Sequence, residues 1–66
     1  MLLSAFHTLP IKNYVLQTRT TGQVWRNYNT FHSLDEAVQA QRTLARQKPA
    51  LELRIYNRVT GRTVRP

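Results

Sequence analysis

Ser33-Leu34-Asp35-Glu36-Ala37-Val38-Gln39-Ala40-Gln41-Arg42-Thr43-Leu44-Ala45-Arg46-Gln47-Lys48-Pro49 decides the fold, because it reads as one helix with both ends marked and strand-like sequence on either side. Ser33 to Glu36 forms a capping box: the serine hydroxyl takes the amide hydrogen three residues on, and Glu36 reaches back to the Ser33 amide. Leu34, Ala37, Val38, Leu44 and Ala45, with Gln41 as the polar exception, fall at the spacing of a single buried stripe. Asp35, Glu36, Gln39, Arg42, Thr43 and Arg46 are left for water. Acids in the first turn and Arg46 with Lys48 near the last suit the helix dipole, and Pro49 ends the run.

Upstream, Lys12 to Arg19 and Gln23 to Asn29 are rich in β-branched, aromatic and amide residues and flank Thr20-Thr21-Gly22, a hairpin signal in which glycine supplies the left-handed residue. Downstream, Leu51-Glu52-Leu53-Arg54-Ile55-Tyr56-Asn57-Arg58 alternates through Ile55 with the period of a strand that buries one face. It runs into Val59-Thr60-Gly61-Arg62 and then Thr63-Val64, a second hairpin with a short edge strand. A helix of about fifteen residues spans roughly 22 Å, close to a strand of about seven residues at roughly 3.3 Å each. The expected architecture is α+β, order ββαββ: a right-handed crossover through the helix gives one antiparallel sheet of strand order 2-1-3-4 with the helix on one face.

The two hairpins share an echo, Arg19-Thr20-Thr21-Gly22 and Arg58-Val59-Thr60-Gly61. Thr-Gly at a bulged turn is favoured for backbone reasons, which is the preferred reading over a pair of functional arginines.

The chain has 66 residues, ten Lys and Arg against three Asp and Glu, and a net charge of +7; eight of the ten cations are Arg. That bounds it to one domain, 12–66, that buries only about 60% of its unfolded surface. An apolar arm, 1–11, precedes the domain and packs on it, contacts a partner or straps a homodimer. It has neither a positive leader region nor a span of about 20 apolar residues, so no membrane is expected. There is no Cys, so no disulfide or thiolate zinc site adds to the core, and the default location is cytoplasmic. The charge favours phosphates, carboxylates or acidic proteins as partners, and guanidinium groups can fork onto an oxyanion or stack on a ring.

Catalytic chemistry finds no support. His7 and His32 are far apart, and the close acids Asp35 and Glu36 are explained by the helix start. Ser4 and Ser33 have no oriented base near them in sequence. No enzyme, cofactor or metal site is expected; two histidines without helical spacing are more often surface residues than ligands.

The pattern with most chemical content is the sheet face turned away from the helix. If Leu51, Leu53 and Ile55 point inward, Arg54, Tyr56 and Arg58 point outward with Glu52. On the second strand Arg26 and Tyr28 share one face and Trp25 the other. Burying Trp25 under the helix is cheaper than burying Arg26, which would need a partner. The expected binding face is therefore Arg26, Tyr28, Arg54, Tyr56 and Arg58, with Arg19 and Arg62 at the hairpin tips. Rings interleaved with Arg hold single-stranded nucleic acid by stacking bases and pairing phosphates. The same pattern also stabilises an open sheet face with no ligand.

Phe31-His32-Ser33-Leu34-Asp35-Glu36-Ala37 after a Trp-containing strand resembles the strand-to-helix junction of the sheet-and-helix DNA-binding domains in plant ethylene-response factors and in the arm-binding domains of tyrosine recombinases. Those place three strands before the helix, so their groove-reading residues do not carry over. The order over about residues 12 to 58 is more similar to short phage host-takeover proteins, such as a podophage RNA polymerase inhibitor and some anti-CRISPR proteins. That resemblance implies occupation of a host protein surface and transfers no individual residue. Two expectations follow: a non-enzymatic binder of nucleic acid, single-stranded in preference, or an inhibitor docking on an acidic or nucleic-acid-handling host complex.

Overall fold

The computed structural model describes residues 12–64. They form β1 (Tyr14–Arg19), β2 (Arg26–Phe31), α1 (Leu34–Gln47), β3 (Glu52–Asn57) and β4 (Arg62–Val64). The four strands pair antiparallel in the order β2-β1-β3-β4 with α1 on one face, the expected ββαββ arrangement. The arm, 1–11, lies outside the described residues.

α1 starts as its sequence dictates. Ser33 is extended, and its Oγ accepts from the Glu36 amide at 3.2 Å. Glu36 reaches back one residue further than expected, its Oε1 taking the His32 amide at 3.3 Å. At the other end Lys48 leaves the helical region, as a residue before proline must, while its amide still bonds the Leu44 carbonyl at 2.8 Å.

The core lies between α1 and one sheet face: Leu16, Ala37, Leu44 and Ile55 are buried, with Tyr14, Phe31, Val38, Ala40, Leu53 and Val64 packed around them. The helical stripe is rotated slightly from its expected position. Ala40 joins it, whereas Leu34 and Ala45 are exposed. Fully burying a leucine such as Leu44 is worth about 1.5–3 kcal/mol. Val15 is buried as well, but on the opposite face, between its cross-strand neighbours Thr30 and Tyr56.

β2 begins three residues later than its composition indicates. The amide of Gln23 closes a turn on the Thr20 carbonyl at 2.9 Å, and Gly22 takes φ 86°, so Gln23 to Trp25 belong to the connection. β2 is also bulged. Leu16 pairs with Asn29 and Gln17 with Asn27, leaving Tyr28 as an extra residue without a partner in β1. An extra residue reverses the in-and-out alternation beyond it. Asn29 and Phe31 therefore share the helix side with Leu16 and Tyr14. Asn27 falls on the opposite face, and Arg26, opposite Thr18, returns to the helix side.

The second hairpin turns on Asn57 and Gly61. The Asn57 Oδ1 accepts from the Val59 and Thr60 amides at 2.8 and 3.3 Å, and the Gly61 amide bonds the Asn57 carbonyl at 2.8 Å with φ 72°. Both glycines of the Arg-x-Thr-Gly echo are thus left-handed, which gives the echo a backbone origin.

Candidate functional site on the open sheet face

Alternation and register define the face away from α1: Val15, Gln17 and Arg19 on β1, Asn27 and Thr30 on β2, Glu52, Arg54 and Tyr56 on β3, and Thr63 on β4. Over this face lies Trp25, with the guanidinium carbons of Arg19 and Arg54 each 4.4 Å from its ring centroid. This overturns the expected burial of Trp25 under the helix. The bulge at Tyr28 reverses the alternation, and two cations on the open face hold the half-buried ring there.

Each arginine is fixed through its Nε. Arg19 donates to Glu52 Oε1 at 2.6 Å, and the other carboxylate oxygen takes the Thr21 hydroxyl at 2.9 Å. The hydrogen bond from Arg19, helped by that from Thr21, holds the Glu52 carboxyl below its ordinary value. Arg54 donates its Nε to Gln17 Oε1 at 2.7 Å, and Gln17 Nε2 donates to Asn27 Oδ1 at 2.9 Å. A continuous relay crosses β3, β1 and β2.

Of the expected binding residues, Arg54 and Tyr56 share this face, and Arg19 joins them from the first hairpin. The others do not assemble. Arg26 and Arg62, opposite Thr18 and Asn57, fall on the helix side. Tyr28 sits exposed at the bulge. Arg58 spends a terminal nitrogen on the Lys12 carbonyl at 2.7 Å, and its amide bonds the Asn13 carbonyl at 2.9 Å, so it ties β1 to the second hairpin. The expected row Arg54, Tyr56, Arg58 ends where β3 ends, at Asn57.

Sequence reasoning missed Trp25, Gln17, Asn27 and the role of Glu52. The alternation Val15, Gln17, Arg19 read against Glu52, Arg54, Tyr56 carried the signal for all but the residues beyond the bulge. Among the described residues no three His, Cys, Asp or Glu side chains converge as metal ligands, and no helix is long and apolar enough to cross a membrane. His7 lies outside the described residues. No family model matches the chain, and no curated protein or solved structure matches it.

Proposed function

We propose that the chain is a non-enzymatic module that binds nucleic acid, single strands in preference, on the sheet face opposite α1, with Arg19, Trp25, Arg54 and Tyr56 at its centre. The observation that carries this reading is the contact of one half-buried indole with two guanidinium groups on a face that α1 leaves uncovered. Rings and guanidinium groups interleaved on a sheet are the elements by which such faces hold a strand. The net charge of +7 adds long-range attraction for a polyanion.

Binding of a labelled single-stranded oligonucleotide, followed by anisotropy over a salt series, tests it. Two guanidinium contacts give a slope of log affinity against log salt of about −1.4. A flat salt response, or Arg54→Ala binding as tightly as the parent chain, would sink the proposal. A protein partner captured stoichiometrically after nuclease treatment, with no oligonucleotide binding, would favour surface occupation of a host complex instead.

A further inference from the structure

Donor and acceptor roles on the open face follow from one fixed point. Arginine can only donate, so the acceptor facing Arg54 Nε must be an oxygen, and Gln17 presents Oε1 to it at 2.7 Å. That orientation leaves the Gln17 amide nitrogen at the other end, where it donates to Asn27 Oδ1 at 2.9 Å. Asn27 is oriented in turn, its Nδ2 remaining at the end of the relay. Around Arg19 the same sorting occurs: the two Glu52 oxygens are engaged by Arg19 Nε and by the Thr21 hydroxyl.

Each carboxylate or amide oxygen in the two networks is therefore turned inward to a donor of the protein itself. The groups without a partner among the described residues are the terminal nitrogens of Arg19 and Arg54, Asn27 Nδ2 and the indole nitrogen of Trp25, and all of them donate. The hydroxyls of Thr30, Tyr56 and Thr63 rotate to suit either role. Base edges offer donors and acceptors in patterns that differ from base to base, whereas a phosphodiester offers acceptors alone. The Trp25 ring already has two guanidinium groups in contact with it, so its position does not depend on a stacked base.

We infer that the face reads the phosphodiester backbone of a strand and is indifferent to its bases; this rests on the nucleic-acid function proposed above. Arg54 leads the contact, because its Nε is held by a neutral amide and its charge is undiminished. Arg19 follows, its charge offset by Glu52. Gln17 is a positioning residue that aims the Arg54 fork outward.

The test compares the full chain with strands of about twelve nucleotides made of dT, dA or dC, and with a strand of the same length carrying abasic sugar units throughout. The expected result is affinities within about threefold of one another across all four strands, with a similar change in the emission of Trp25, the single tryptophan. Gln17→Ala lowers all four affinities by one common factor, while Gln17→Glu, which keeps the acceptor oxygen, still orients the fork but weakens binding by its charge. An abasic strand bound about tenfold or more weakly than dT at the same salt, the size of loss that one stacked base accounts for, overturns the inference and leaves the proposed function standing. Failure of every strand to bind removes both. Equal competition by polyglutamate of matched charge overturns the assignment of a phosphate backbone.

Discussion

Arg19 and Glu52, thirty-three positions apart in sequence, meet as direct cross-strand partners on β1 and β3 with Nε and Oε1 2.6 Å apart. The pair does two things for the open face. It holds the Arg19 guanidinium in contact with Trp25, and it supplies the one carboxylate among the described residues of that face.

Glu52 makes the pair sensitive to pH. Its folded value lies below its unfolded one, so the bond contributes stability above the ordinary carboxylate range and loses it as pH falls through the depressed folded value. Urea midpoints measured from pH 7 to pH 3 should fall more steeply for the parent chain than for Glu52→Gln. Identical slopes in the two chains would show that the bond adds nothing.

Trp25→Ala removes two cation–π contacts together with part of a half-buried ring. A loss of about 1–2 kcal/mol is expected from the two contacts, measured by urea unfolding followed by circular dichroism. Trp25→Phe should retain part of it. An unchanged midpoint for the alanine variant would mean that the ring only rests on the sheet.

Leu44 is one of four residues in the buried cluster. Leu44→Ala should cost about 2–5 kcal/mol, which in a domain of this size is comparable to its whole stability. Far-ultraviolet circular dichroism at room temperature should then show a largely unfolded chain. A cooperative transition close to that of the parent would place the core elsewhere.

Gly61 isolates a backbone effect. A methyl group there would come no closer than 3.9 Å to the Tyr56 hydroxyl, so space is adequate and only the φ of 72° penalises alanine. Gly61→Ala should destabilise by about 1–2 kcal/mol, and Gly22→Ala, with φ 86° and nothing within 4 Å, by a similar amount. Hydrogen exchange or urea midpoints would check both; no change at either position would mean that the turn relaxes without strain.

The sequence made the helix and the strand order legible because their determinants are local. A serine cap, a proline stop and two-residue alternation each act within a turn or two of chain. The open face was only partly legible for a reason equally physical. In Arg26-Asn27-Tyr28-Asn29 nothing in residue type marks Tyr28 as the one that drops out of register; that is decided by pairing with Leu16 and Gln17 ten or more positions away. One residue of slip exchanged the assignments of Trp25 and Arg26, and with them the centre of the site. Arg58 failed differently. Its position along β3 suggested the outer face, but the strand ends before it and the Lys12 carbonyl captures its side chain.

The bulge at Tyr28 also bears on how this chain behaves at high concentration. β2 and β4 are the outer strands, and their unpaired amides and carbonyls are where another chain could be added. β4 has three residues, and the bulge leaves β2 only Asn29, Thr30 and Phe31 in uninterrupted register. Among the described residues neither border of the sheet offers a template longer than a single short run, so the irregularity that places Trp25 among the arginines also guards these edges against edge-to-edge aggregation.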